Sequence, residues 1–188
     1  MPEEKTKALK EIEQMLKNRK LNEEDVLEIA QKVLKNYRRI SWATELRAKD
    51  MERELTELGS DSLYGALVYL TDFARDRERE WYENRVTSLF ESAMLVQMID
   101  DAAIAVRAFP DHGEMYYEML KLSYLSRFRY KSTEVCEQLG MARTHFYRRR
   151  REALLLFGLL FMEQSLPMAQ ELLNRQSEAD DWADASSF

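Results

Sequence analysis

The chain has 188 residues, a formal net charge of −6 and a single cysteine, Cys136, so it can form neither an intramolecular disulfide nor a cysteine-rich zinc site. Its first segment, MPEEKTKALK, lacks the apolar core of a signal peptide, and its longest apolar run, residues 153–162, is far shorter than the roughly 20 residues that span a bilayer. We therefore expect a cytoplasmic protein without a membrane partner. Only five glycines and three prolines punctuate the chain, which favours long helices and predicts an all-α fold.

Residues 1–58 are predicted to contain one long amphipathic helix. Asn22 is a good N-cap, and the three acidic residues that follow it suit the positive end of a helix dipole. From Val26 to Leu58, apolar or small residues recur every three or four positions, so one stripe runs along the helix. A break into two helices near Ile40–Ser41 is the alternative. Because the unbroken helix would be about 50 Å long, we expect this segment to mediate oligomerisation or partner binding.

Residues 59–109 are predicted to form a second helical region, a linker or core of the chain. The region begins apolar, becomes highly charged, and ends in a long helix rich in apolar residues. A turn between Pro110 and Gly113 is the clearest punctuation in the sequence. It marks the predicted boundary to a C-terminal unit, residues 110–165, after which residues 166–188 are expected to form an acidic, mobile tail.

Charge is distributed unevenly along the chain. Residues 121–152 carry nine basic and three acidic side chains, whereas residues 59–120 carry five and twelve, and residues 163–188 carry one and six. A strongly basic block between two acidic regions is typical of a surface that binds nucleic acid.

The basic block contains the segment YKSTEVCEQLGMARTHFYRRRREALLLFG, residues 130–158, which predicts two helices joined by a tight turn. Ser132 or Thr133 can cap the first helix, and Gly140 can adopt the left-handed conformation that ends it. The second helix is expected to start near Ala142. A helix, a glycine-containing turn and a second helix within about twenty residues match the helix-turn-helix plan.

The second helix is predicted to have a buried side and an exposed side. At about 100° per residue, Phe146 and Phe157 point towards the core. Thr144, Arg148 and Arg151 point roughly the opposite way, with Tyr147 and His145 on either flank. The exposed side therefore combines arginines with residues that can form hydrogen bonds to bases.

Arginine pairs with guanine through two parallel hydrogen bonds and with phosphate through charge. Arg149 and Arg150 fall nearer the core side, from where they can reach phosphate or pair with acidic side chains. Lys131 and Ser132 are expected to contact the sugar–phosphate backbone of the DNA. The predicted DNA-binding residues are Lys131, Ser132, Arg143, Thr144, His145, Tyr147, Arg148, Arg149 and Arg151.

The run from Tyr116 to Phe161 resembles the helix-turn-helix of sigma-factor region four, and more particularly that of phage and prophage transcriptional regulators of the ArpU and RinA type. The matching elements are MYYEMLKLSYL, STEVCEQLGM and HFYRRRREALLLFG. Ala142 departs from the pattern, because such proteins usually have a Ser or Thr cap there, and its loss costs about 1 kcal/mol. The resemblance implies control of late or packaging genes through promoter DNA, in a bacterial host cell, with RNA polymerase as a further partner.

Two other functional classes compete with this interpretation. The first is an enzyme, for which the candidate metal-binding residues are Asp100, Asp101, Asp111, His112 and Glu114. Adjacent aspartates on a helix do not face each other, however, so Asp100 and Asp101 would not bind one ion together. Glycine-rich phosphate loops, nucleophile elbows and HExxH motifs are also absent from the sequence. We therefore predict no catalysis and no cofactor. The stronger alternative is a protein-interaction or adaptor protein whose arginine helix does not contact DNA.

Taken together, the residues predict an all-α, dimeric transcriptional regulator that binds double-stranded DNA through its C-terminal helix-turn-helix. Dimerisation is expected because two half-sites multiply the limited specificity of one small module.

Overall fold

The computed structural model describes residues 6–57 and 76–185, with side chains described for residues 6–51, 53, 88–89 and 91–165. Within these ranges the secondary structure consists of helices and turns, without a strand, which confirms the all-α prediction. The helices are α1 (Lys7–Asn18), α2 (Glu23–Glu57), α3 (Asp76–Arg107), α4 (Gly113–Leu120), a π-helical turn (Lys121–Leu125), α5 (Ser132–Gln138) and α6 (Arg143–Ala185).

The chain divides into two compact units. The first unit combines the chain up to Lys35 with everything from Met98 onwards, and the second comprises Asn36–Gln97. Helix α1 and the start of α2 therefore belong to the same unit as the predicted DNA-binding region, and residues 109 and 110 both lie inside this first unit.

Helices α1 and α2 begin at well-defined caps. Thr6 Oγ1 accepts a hydrogen bond from the Leu9 N–H at 3.1 Å, and Asn22 Oδ1 accepts one from the Glu24 N–H at 2.9 Å, which confirms the predicted cap at Asn22. Lys20, with φ of 57°, turns the chain between the two helices. Helix α2 continues through Ile40–Ser41, so the prediction of one long helix is confirmed and the alternative break is wrong.

The core of the first unit surrounds the middle of α6. Residues 153–157 are all buried there, because α1 and α4 both contact this helix. Gly158 lets α2 approach even more closely: a Cβ added at this position would lie 2.7 Å from the Val26 carbonyl oxygen and 3.1 Å from the Ala30 Cβ. Ile12 of α1 is completely buried.

The end of α3 and the turn after it follow the predicted pattern. Helix α3 ends at Arg107, and His112 takes a left-handed conformation with φ of 69° before α4 starts at Gly113. A Cβ at Gly113 would lie 2.6 Å from the Arg107 carbonyl oxygen, so only glycine permits this close return of the chain.

In the second unit, the described residues belong to the end of α2 and the first part of α3. Met51 and Leu89 are buried, whereas Trp42 and Leu46 are exposed on α2.

The mobility of the acidic tail, residues 166–188, stays a prediction. The backbone of α6 remains helical as far as Ala185. A helix that is already nucleated by its buried middle can extend into a polar sequence, although Pro167 has no backbone N–H to donate within it.

Candidate nucleic-acid interface

A tight turn, residues 139–142, joins α5 to α6. The Met141 N–H donates to the Cys136 carbonyl at 2.9 Å, and the Gly140 N–H donates to the Glu137 carbonyl at 3.1 Å. These two bonds form a Schellman motif, which requires a left-handed residue after the helix. Gly140 supplies that residue with φ of 62°, and no atom lies within 4 Å of a Cβ added to it. The predicted turn is confirmed, and the need for glycine is conformational rather than steric.

The first turn of α5 differs from the predicted cap. Neither Ser132 nor Thr133 occupies the N-cap position: Ser132 is the first helical residue, and Lys131 precedes it in an extended conformation. The Glu134 carboxylate accepts a hydrogen bond from the Lys131 backbone N–H. The Glu134 side chain, at the third helical position, therefore satisfies the Lys131 backbone N–H. The predicted hydroxyl cap at Ser132 or Thr133 would not have reached this donor.

A small apolar cluster holds α5 against α6. It contains Met119, Val135, Cys136 and Phe146, and partly buried neighbours, among them Met141, surround it. Cys136 is a buried free thiol within this cluster. The turn and this cluster together fix the direction in which α6 leaves the turn.

The first turns of α6 present a polar strip to solvent. Arg143, Thr144, Tyr147 and Arg151 are exposed, with Tyr147 at 48% of its full exposure, and Arg148 is half-buried beside them. We call these five residues the α6 strip. The predicted backbone contacts Lys131 and Ser132 are also exposed.

Arg149, which was predicted to bind DNA, does not belong to this surface. Its guanidinium is 9% exposed, and its Nη1 donates to Glu152 Oε2 at 2.8 Å and to the Tyr116 hydroxyl at 3.3 Å. Its Nη2 lies 3.1 Å from His112 Nε2, and its Nε donates to His145 Nε2 at 3.3 Å. All three of its donor nitrogens thus have partners inside the protein.

Glu152 completes this buried polar cluster. Its carboxylate is 1% exposed and also accepts hydrogen bonds from Thr6 Oγ1 and from the Tyr116 hydroxyl, the latter at 2.6 Å. Burial alone would raise the pKa of Glu152, but the hydrogen bonds from Thr6, Tyr116 and Arg149 outweigh it and hold the pKa below its usual value. Burial and the neighbouring carboxylate raise the pKa of Tyr116.

His145 was predicted to flank the DNA-reading side, but it is half-buried and its Nε2 is bonded to Arg149. It therefore contributes to the position of Arg149 as well as to the edge of the α6 strip.

Arg148 and Arg150 carry unsatisfied donors. The Nε of each is buried without a hydrogen-bond partner among the described residues. The Arg150 guanidinium lies over the Tyr124 ring, 5.5 Å from its centroid, and its Nη2 donates to the Tyr124 hydroxyl. Buried charged donors without an acceptor are uncommon in folded proteins.

The residue-by-residue prediction missed two exposed arginines before α5. Arg127 and Arg129 flank Phe128, which is 69% exposed. The signal for them was present in the basic block, because both lie within residues 121–152.

The candidate metal-binding residues of the enzyme alternative do not converge. Asp111 pairs with Lys7 at 3.2 Å, and Glu114 pairs with Arg107 at 2.6 Å. Among the residues whose positions are described, no group of three or more His, Cys, Asp or Glu side chains could hold a metal ion. None of the described helices combines the length and apolar character needed to cross a membrane.

No protein-family model, curated protein or solved structure matches the chain. The resemblance of Tyr116 to Phe161 to the ArpU and RinA regulators therefore stays a prediction from the sequence.

Proposed function

We propose that the protein is a sequence-specific DNA-binding transcriptional regulator that places the start of α6 in the major groove. The observation that carries the proposal is the α6 strip, which is exposed directly after the Gly140 turn while the opposite side of the helix is buried. A rigid helix with one buried and one polar, arginine-bearing side suits the major groove in width and in chemistry.

The roles of the residues follow from their chemistry and exposure. Arg148 and Arg151 can donate two parallel hydrogen bonds to guanine, and Thr144 and Tyr147 can contact base edges or phosphates. Lys131 and Ser132 would touch the sugar–phosphate backbone beside the strip. Arg149 is omitted from the proposed contact set because its guanidinium is committed to Glu152 and Tyr116.

The finer parts of the proposal rest on the sequence. The resemblance to phage regulators supports control of late-type genes in a bacterial cytoplasm, with RNA polymerase as a second partner and with no catalytic activity. The benefit of two half-sites supports a homodimer. Light scattering after gel filtration is expected to give twice the chain mass at micromolar concentration, and a strict monomer would contradict the dimer.

The test of DNA reading selects bound fragments from a random duplex pool at near-physiological salt. The wild-type chain is compared with Arg148→Ala and with the control Arg47→Ala, which removes an exposed arginine from the second unit. We expect the wild type and the control to enrich the same motif. Arg148→Ala should lose discrimination at one position, worth about 1–3 kcal/mol for one base contact.

Thermal unfolding of each variant, followed by circular dichroism, separates lost binding from lost folding. If the folded wild type enriches no motif, the proposal is wrong, and the α6 strip is then a protein-binding or a solvated face.

A further inference from the structure

An open groove of about 490 Å³ runs between α2 and α6 beside the α6 strip. Leu27 and Leu154 form its apolar part, and Lys35, Arg150 and Arg151 line it with positive charge. Tyr147 also lines it. We call this feature the α2–α6 groove. All of these residues belong to the first compact unit, so the groove is built within one body.

The electrostatics of the groove favour an anion. Three of its lining side chains are cationic and none is acidic. Lys35 forms no ion pair with any residue that the structure describes. The Tyr124 hydroxyl holds the Arg150 guanidinium in place, so its positive charge has a defined position beside the groove.

The Arg151 side chain that lines the groove is paired with a carboxylate, and the effect of this pair is small. Glu23 pairs with Arg151, but their side chains are 33% and 53% exposed, respectively. Ion pairs this exposed contribute little to stability and are readily exchanged for another anion. Arg151 can therefore turn towards a phosphate without loss of folded structure.

Two residues connect the groove to the α6 strip. Tyr147 and Arg151 belong to both, so a long polyanion that covers the strip must also pass the mouth of the groove. A phosphate of that polyanion would come within reach of Lys35 and Arg150, which the strip does not include.

From this arrangement we infer that the α2–α6 groove receives a backbone phosphate of the bound DNA, so that Lys35 of α2 is part of the interface. The inference rests on the proposed function. It extends the contact surface from the helix-turn-helix to a helix more than a hundred residues earlier in the chain.

The contact has a measurable signature in salt dependence. Each phosphate that a protein neutralises changes the slope of log K against log salt concentration by about 0.9. A phosphate contact is independent of base sequence, so its loss weakens binding to all duplexes alike.

The experiment measures duplex binding by fluorescence anisotropy from 50 to 200 mM KCl, with the full chain and two unrelated duplex sequences. Lys35→Ala should reduce the magnitude of the slope by about 1 on both duplexes, which corresponds to about a threefold smaller loss of affinity over this range. Lys35→Arg should retain the wild-type slope. The control Lys10→Ala removes the same charge from an exposed position on α1, outside the groove, and should leave the slope unchanged.

Equal slopes for Lys35→Ala and Lys10→Ala would overturn the inference while leaving the proposed function intact. A folded wild type that binds neither duplex at any salt concentration would overturn the proposed function and the inference with it. Titration calorimetry with sodium pyrophosphate tests whether the groove binds a free anion instead of DNA. If Lys35→Ala abolishes pyrophosphate binding but leaves the salt slope of DNA binding at its wild-type value, the groove binds a free anion. The inference is then wrong.

Discussion

The Arg149–Glu152 pair determines which arginines of α6 can meet a ligand. Both side chains are almost fully buried, and the pair is supplied with further hydrogen bonds by Thr6, Tyr116 and His145. A buried ion pair is stable only when its remaining donors and acceptors are satisfied, which this cluster achieves. The pair therefore contributes, with the buried apolar side of α6, to fixing the rotation of the helix, which leaves Arg151 exposed.

We expect Glu152→Gln to lower the free energy of unfolding by about 3 kcal/mol, because the substitution leaves the Arg149 guanidinium buried without a counter-charge. Urea unfolding followed by circular dichroism measures the change. Glu163→Gln is the matched control, since Glu163 pairs with Arg19 at the surface and its loss should cost less than 1 kcal/mol. Equal effects of the two substitutions would contradict the structural role of the buried pair.

The same cluster predicts a specific pH dependence. The pKa of Glu152 is lower in the folded chain than the ordinary value of 4.5, so its contribution to the free energy of unfolding is present above pH 4.5 and is lost as the pH falls through the folded-state pKa. The stability difference between wild type and Glu152→Gln should therefore be largest near neutral pH and should shrink below pH 4.5. Urea titrations from pH 3 to 7 test this, and a difference that grows on acidification would contradict it.

At the scale of elements, α6 performs two tasks along its length. Its first turns carry the exposed α6 strip, and its middle, residues 153–157, is the centre of the core. Two glycines make this possible for different reasons. Gly140 supplies a left-handed backbone before α6, whereas Gly158 lets the backbone of α2 lie directly against α6.

Alanine substitutions should separate these two roles. Gly140→Ala meets no neighbouring atom and should cost about 1–2 kcal/mol of backbone strain. Gly158→Ala should cost more, even though alanine is favoured over glycine in a helix by about 1 kcal/mol, because its Cβ would collide with the Val26 carbonyl. Thermal unfolding compares the two variants, and a stabilised Gly158→Ala would show that α2 and α6 are less closely packed than described.

At the scale of the whole molecule, helices from the beginning and from the later part of the described chain share one core. Helix α1 and the start of α2 pack against the same helix that carries the α6 strip, with Ile12 and Val26 completely buried. The region that resembles a DNA-binding module is thus completed by residues about a hundred positions earlier. Its surface is placed by the whole first unit.

The fragment of residues 110–165 should consequently not fold by itself. Without α1 and α2 it exposes the parts of the apolar middle of α6 that these two helices cover, and only the contacts of α6 with α4 and α5 remain. We expect it to lack the cooperative thermal transition of the full chain, measured by circular dichroism, and to give poorly dispersed amide resonances. A cooperative transition in the isolated fragment would show that the shared core is dispensable.

The sequence by itself determined the helical class, the cap at Asn22, the turn before Gly113, the turn at Gly140 and the separation of buried Phe146 from exposed Thr144. These features depend on interactions within a few residues along the chain, where spacing and residue type are sufficient. For the same reason, the basic block of residues 121–152 is evident from the sequence alone.

Only the tertiary structure decided which charges are available to a ligand. Arg149 and Arg151 are two positions apart in one basic run, yet one is buried against Glu152 and the other is exposed. Their difference depends on Thr6 and Tyr116, and the contribution of Lys35 to the groove depends on the close approach at Gly158. Such pairings are set by the packing of elements that are distant in sequence, because a buried charge is tolerated only where several chain segments bring its partners together.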